Sequence, residues 1–334
     1  MLCWAEAAPA VDLGDSAELH GYGSQDYLQA THNTYLNADS KGSWDDNFLG
    51  LVGTVTLNDA SKLWAQLETS TLDATRFTWF FVDYQFSDTV RAHVGRVRYP
   101  LGLYNEIIDS KFLQQSSLEP ALYQQAADMV HDSYTGAGVD YRQSLGANGS
   151  ILWQAYGGNT YDEDPPLDSR DRRAGGGRVT YQTPVDGLRF MVSGYYTDVE
   201  ILATQRYTGE TRWIVSGDYL HGDWDIKSEY GAHSLKGVDS YAYYAQVGRN
   251  FGERFTVFAR YDRFVADKSR AVSDSYSQRI FVAGLNYKLS SNISLRLENQ
   301  FNHGYALPVA SGEMAPGSGR PDWDLIVAGV HFIF

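Results

Sequence analysis

One cysteine, four methionines and nine prolines are all that the 334 residues hold of those types. A single cysteine rules out a disulfide framework. No run of about 18 apolar residues occurs, which excludes a bundle of membrane-spanning helices. Basic residues are in the minority, 27 Lys and Arg against 41 Asp and Glu, so the formal charge is −14. That sign is wrong for gripping phosphates, and no nucleic-acid partner is expected. Helical patterning with a 3.6-residue period is almost absent. What is plentiful is aromatic and small: 24 Tyr, 15 Phe, 8 Trp and 32 Gly. So many aromatics with only 20% charged residues exclude disorder. Mean hydropathy is −0.37, polar on average.

The chain opens Met1-Leu2-Cys3-Trp4-Ala5-Glu6-Ala7. Ala5-Glu6-Ala7 fits the small-x-small pattern of a signal-peptidase site, although the charged and apolar regions of a full signal are missing. Residues 1–7 are read as the stub of an export signal, and residues 1–17 as that stub plus a periplasmic tail. Cys3 would then leave with the signal, which suits an exported protein that must avoid stray disulfides.

Period-2 alternation recurs in blocks of about 8 to 12 residues. Leu49, Leu51, Gly53, Val55 and Leu57 alternate with Gly50, Val52, Thr54 and Thr56. Phe255, Val257, Ala259 and Tyr261 alternate with Thr256, Phe258, Arg260 and Asp262. The pattern predicts sixteen strands, near 18–29, 47–58, 62–72, 76–86, 89–98, 134–143, 150–158, 176–183, 188–197, 211–221, 223–234, 240–249, 254–264, 278–289, 292–302 and 323–334. Short and long links alternate. The short ones fall at 59–61, 87–88, 144–149, 184–187, near 222, at 250–253 and at 290–291. The long ones fall at 30–46, 99–133, 159–175, 198–210, 265–277 and 303–322, with 73–75 and 235–239 short on the long side. A sandwich has no reason to sort loops by end; a membrane barrel does.

Three features favour the barrel. Tyr and Trp gather near strand ends, where interfacial girdles need them: Trp79, Tyr84, Trp153, Tyr181, Tyr195, Tyr196, Trp213, Tyr219, Trp224, Tyr230, Tyr241, Tyr243, Tyr287 and Trp323. The polar face carries Arg142, Arg178, Arg189, Arg212, Lys227, Arg260 and Arg296 with Asp140, Asp218, Glu229, Asp262 and Glu298. Charges in such number fit a watery lumen better than a dry core. The last strand alternates to a terminal Phe334, with apolar residues at 326, 328, 330, 332 and 334.

Strand number, loop alternation and that terminal Phe resemble the Gram-negative outer-membrane porins over residues 18–334. The stretch Gly95-Arg96-Val97-Arg98-Tyr99-Pro100-Leu101-Gly102-Leu103-Tyr104-Asn105-Glu106 is similar to the entry to the third external loop of selective proteobacterial porins. The resemblance implies an all-β, transmembrane, antiparallel 16-stranded barrel with an inward-folded third external loop at 99–133. It implies a homotrimer in the outer membrane of a Gram-negative cell, in contact with lipid and lipopolysaccharide. It implies acids on the loop facing a basic ladder on the wall. The loop offers Glu106, Asp109, Glu119, Asp128 and Asp132; the wall offers Arg91, Arg96, Arg98, Arg142, Arg178 and Arg189.

One phase conflict stands. If Val90, Ala92 and Val94 face lipid, Arg91 and His93 face the lumen while Arg96 and Arg98 face lipid, at about 2–4 kcal/mol each near the midplane. Either Gly95 marks a bulge that flips the phase, the favoured reading, or the arginines snorkel at the rim.

Other motifs carry less. Gly175-Gly176-Gly177 lacks the strand–loop–helix context of a phosphate cradle. Asp162-Glu163-Asp164 could hold a divalent ion but reads as a solvated loop. Asn148-Gly149-Ser150 and Asn292-Ile293-Ser294 read as turns. Residues 106–131 hold one or two short helical turns. None of the eight His stands beside a nucleophile by spacing, so no catalytic residue, metal or cofactor is expected. The reading is a passive channel for small hydrophilic solutes and ions. The alternatives are a porin selective for phosphate, a dicarboxylate or a sugar, and a barrel enzyme built on a residue such as His233.

Overall fold

The computed structural model describes residues 11–12, 14, 16–71, 74–161 and 169–334. The signal stub with Cys3 and the acidic trio at 162–164 lie outside them. Sixteen long strands form one sheet: β1 (Ala17–Ala30), β2 (Ser43–Asn58), β3 (Ser61–Thr69), β4 (Arg76–Gln85), β5 (Val90–Arg98), β6 (Ser133–Ser144), β7 (Ser150–Tyr161), β8 (Ser169–Gln182), β9 (Leu188–Ile201), β10 (Arg206–His221), β11 (Trp224–Leu235), β12 (Val238–Phe251), β13 (Phe255–Val265), β14 (Ser277–Lys288), β15 (Ile293–Gly304) and β16 (Asp322–Ile333). A two-residue strand, Val11–Asp12, pairs with β1. Every neighbouring pair is antiparallel, and β16 returns to pair with β1, closing the sheet into a barrel. Phe334 completes the seam by exchanging backbone bonds with Gly21, at 2.7 and 2.8 Å.

Period-2 alternation becomes two faces. One presents exposed apolar side chains, among them Val94, Phe190, Val192, Val215, Leu285 and Leu297. The opposite face buries polar and charged residues, including Arg212, Arg260, Glu229, Asp262, Glu298 and Gln246. Closure puts the second face inside. An apolar outer band round a polar interior is the arrangement a lipid-embedded barrel requires.

Short turns sit at one end and are fixed by local chemistry. The Asn58 side chain accepts from the Ala60 amide at 2.9 Å, and the Thr183 hydroxyl accepts from the Val185 amide at 3.1 Å. The longer connections lie at the other end, at 31–42, 99–132, 266–276 and 305–321.

The structure corrects three expectations. First, no register shift occurs at Gly95 on either side: Val94, Gly95 and Arg96 pair in sequence with both β4 and β6. The favoured bulge is absent although Gly95 has φ of +142°. Arg96 stays on the outer face, its guanidinium over the exposed Phe80 ring at 5.4 Å and bonded to the Phe77 carbonyl at 2.9 Å. Arg98, at the strand end, turns inward instead. Second, Trp79, Tyr195 and Trp323 are buried and belong to no outer girdle. Third, the links expected at 159–175 and 198–210 are mostly strand. Cross-strand pairs extend the ladder there: Arg172 to Glu200 at 2.5 Å and Arg173 to Asp198 at 3.0 Å.

Candidate functional site: the β5–β6 segment and the inner wall

Pro100 follows Tyr99 and lacks the amide a continuing ladder needs, so β5 ends and residues 99–132 leave the sheet. Two 3-10 turns, Lys111–Leu113 and Gln125–Ala127, shape the segment. These match the short turns expected at 106–131. Its polar groups then meet the inner face of strand after strand. The Gly102 amide donates to Ser193 on β9 at 3.0 Å. The Leu103 amide and the Tyr123 hydroxyl donate to Glu229 on β11 at 2.8 and 2.7 Å. Gln246 on β12 donates to the Gln115 side chain, and Asn286 on β14 to the Gln115 carbonyl, each at 2.8 Å. Arg260 on β13 donates to the Leu118 carbonyl at 3.0 Å. On β15, Arg296 donates to the carbonyls of Ser116 (2.9 Å), Phe112 (3.2 Å) and Gln114, while Glu298 accepts from Ser116 and Ser117. Lys111 reaches Asp26 on β1 at 2.8 Å and Asp46 on β2 at 2.7 Å.

Most of the sequence-predicted residues meet as ion pairs. Glu106 bonds Arg178 at 2.6 Å. Burial alone would raise the Glu106 carboxyl, but the Arg178 guanidinium outweighs it and holds the group down at about 2. The pair therefore stays ionised across the neutral range. Arg98 contacts Asp109, Asp132 (3.2 Å) and Glu68 (3.6 Å). Arg91 lies 3.4 Å from Asp83 and 3.3 Å from Asp140, so its carboxylate partners are on the wall. Asp128 pairs with Arg212 at 3.1 Å. Arg189 pairs with Asp218 near the short-turn end, and Arg142 is exposed there; neither is brought to the segment. Glu119 sits within the segment, where burial raises its carboxyl above the ordinary value. Arg96 is on the outer face.

Exposure divides the interior. Beside β10–β16 the charges are sealed: Arg212, Glu229, Arg260, Asp262 and Glu298 are buried. Near β4–β6 the side chains stay open in part, with Asp132 at 42% and Arg91 at 30%. Towards the long-loop end, Tyr99 stacks on Tyr195 at 4.5 Å and 7° and packs on Tyr134 and Tyr156. His131 joins this cluster; burial and the nearby Arg212 hold its imidazole well below the usual pKa. His233 lies between Glu210 (2.7 Å) and Ser240 (3.2 Å). Ser240, however, is buried and donates its hydroxyl to Met129 Sδ at 3.4 Å.

Sequence reasoning missed Lys111, Asp26 and Asp46. Lys111 has no periodic context, and its partners lie 85 and 65 residues away in sequence. Asp26 does lie on the polar phase of β1, the one signal that was there. Its other carboxylate oxygen accepts from His331 at 2.9 Å, and it packs on Gly329: a Cβ added there would stand 1.6 Å from Asp26 Oδ1. Gly329→Ala is therefore expected to displace Asp26 and cost roughly 1–3 kcal/mol. Its folded band should convert to the unfolded one at lower temperature in a heated-gel series, and an unchanged midpoint would refute the packing.

No family model matches the chain, and no curated protein matches it. Solved structures do. OmpF of Salmonella typhi in complex with daunomycin is 14% identical, with a TM-score of 0.67 over 98% of this chain and 100% of that one. The anion-selective porin from Comamonas acidovorans is 14% identical, TM-score 0.65, over 96% and 99%. In-vitro folded OmpT of Vibrio cholerae, in a trimer form, is 14% identical, TM-score 0.61, over 96% and 100%. The chain has the fold of the outer-membrane porins: a closed, antiparallel, sixteen-stranded β-barrel.

Proposed function

We propose that the protein is a passive channel for small hydrophilic solutes and ions, and that residues 99–132 fold inward as its constriction. The observation that carries this is the ring of hydrogen bonds tying one segment to inner-face side chains from β1 to β15. Solutes cross on the side that is not sealed, along Arg91, Glu106, Asp109 and Asp132, with the buried Arg98 and Arg178 behind them. No chemical step is involved. The buried Ser240, bonded to Met129, supports a structural role for the His233 chain over a hydrolytic one. Outer-membrane lipid and lipopolysaccharide surround the barrel, and the working form is a homotrimer, a reading supported by the trimer form of one fold neighbour.

Carboxylates bond Arg91, Arg98 and Arg178. That pairing supports general diffusion over a dedicated phosphate, dicarboxylate or sugar site. Selectivity then follows the fixed charge at the constriction. The double variant Asp109→Asn, Asp132→Asn is expected to shift the zero-current potential in a KCl gradient towards anion preference. An unchanged potential would remove these residues from the ion path. A wild-type current that saturates with one solute class would favour the selective reading instead.

A further inference from the structure

Basic side chains collect on the outer face of the barrel at its long-loop end. The register sets Arg263 of β13 directly opposite Arg279 of β14, with Tyr243 of β12 and His303 of β15 on either side. Two residues lower on the same face, Tyr261 stands opposite Phe281, and Phe281 opposite Phe301; all three rings are exposed. Such rings mark the border between hydrocarbon and headgroups, so the two arginines sit at headgroup level. Lys268 belongs to the 3-10 turn Lys268–Arg270 in the link between the same two strands.

Like charges directly opposite each other across a strand pair are destabilising, and no carboxylate among the described residues bonds either arginine. Arg263 donates to the Ala271 carbonyl at 3.3 Å. The Arg279 and Lys268 side chains are exposed and have no polar partner among the described residues. The acids nearby are engaged elsewhere: Asp267 with Arg270 and Ser269, Asp322 with His303, and Asp239 with Ser234. Lys268 also borders a pocket of about 260 Å³ on the outer face of β10–β12, lined by Trp213, Tyr230, Tyr241, Ser234 and Asp239. Its rings lie side by side, Trp213 to Tyr230 at 5.4 Å and Tyr230 to Tyr241 at 6.1 Å. Tyr241 and Tyr243 are two residues apart on one face, about 7 Å, so the pocket and the arginine pair fall within one headgroup's reach.

We propose that this rim binds one phosphorylated glycolipid of the outer leaflet. A sugar phosphate lies between Arg263 and Arg279, whose planar guanidinium forks match its oxygens. A sugar ring rests in the aromatic pocket beside Lys268, where a few polar groups edge apolar faces. The acyl chains run down the apolar band past Phe281 and Phe301. Charge complementarity selects this occupant, since basic clusters at a membrane surface take anionic headgroups. The site rests on the reading that the long loops face outward and lipopolysaccharide surrounds the barrel. It stands whether or not the barrel conducts.

The test is native mass spectrometry of the delipidated, detergent-folded barrel titrated with bisphosphorylated lipid A. The expected result is one tightly held lipid per chain, and much weaker binding of the same lipid stripped of its phosphates. Arg279→Gln and Lys268→Gln should each weaken binding at least about fivefold, and the double variant about 25-fold. Both side chains are exposed and bond nothing among the described residues, so the variants should fold, as heat-modifiable migration will show. Arg254→Gln, at an exposed arginine of the short-turn end that reaches the Tyr287 hydroxyl at 3.5 Å, should leave binding unchanged. Wild-type affinity in the double variant would overturn the site while leaving lipopolysaccharide around the barrel. No retention of lipid A by the wild type would overturn both. Equal binding of the phosphate-free lipid, or of phosphatidylglycerol, would overturn the assignment of a phosphorylated sugar.

Discussion

Lys111→Met is expected to free the segment from β1 and β2, lowering the thermal midpoint and making single-channel currents larger and noisier. The Lys111 ammonium bonds Asp26 and Asp46 at 2.7–2.8 Å, and the Asp26 side chain is fully buried. Burial pulls the Lys111 pKa down, but the two carboxylates more than offset it, so the ammonium is held charged. Removing one partner of such a pair leaves uncompensated buried charge and costs about 3–5 kcal/mol. The loss falls on the contact that anchors the first 3-10 turn, so the segment rather than the barrel should respond first. Lys111→Arg retains the charge and should restore most of the wild-type current. Identical conductance and noise in Lys111→Met would show that this contact does not hold the constriction.

Glu229→Ala should be at least as disruptive. The Glu229 carboxylate accepts from the Leu103 amide, Tyr123, Tyr244 and Ser216, and the residue is 2% exposed. Truncation strands these buried donors, each at about 1–3 kcal/mol, and opens a cavity beneath the segment. At least ~3 kcal/mol of destabilisation is expected. Glu229→Gln keeps the shape and an acceptor oxygen and should lose less. The ordering wild type, Gln, Ala in unfolding midpoint by heated gel or denaturant titration checks this; equal midpoints for all three would contradict the network. In both variants the outer apolar band is untouched, so insertion into detergent should be unaffected.

Alternation made the strands legible, because a strand with one face to lipid and one to a charged interior must repeat every two residues; the sorted loops, the charged face and the terminal Phe334 made the barrel legible. It also placed Glu229, Arg260, Arg296 and Glu298 on the inner face. Phase failed where proximity to a strand end was used in its place. Tyr195 and Tyr196 are adjacent, so only one can face out, and the register gives that place to Tyr196. Arg96 was misjudged because its cost on the outer face was set against hydrocarbon. The side chain instead lies over Phe80 and bonds a backbone carbonyl, as a snorkelling arginine does. Strand ends at β8–β10 were hidden because cross-strand charge pairs, not hydrophobicity, extend them. The pairings of residues 99–132 were not legible at all. They join groups up to 214 residues apart, and only the closed barrel brings those together.

The most direct measurement is planar-bilayer current from the purified, detergent-folded protein. Discrete, ohmic conductance steps, enlarged in Lys111→Met, are what an inward-folded constriction in a water-filled barrel predicts. A bilayer that stays sealed at every protein concentration, for wild type and Lys111→Met alike, would contradict the channel itself.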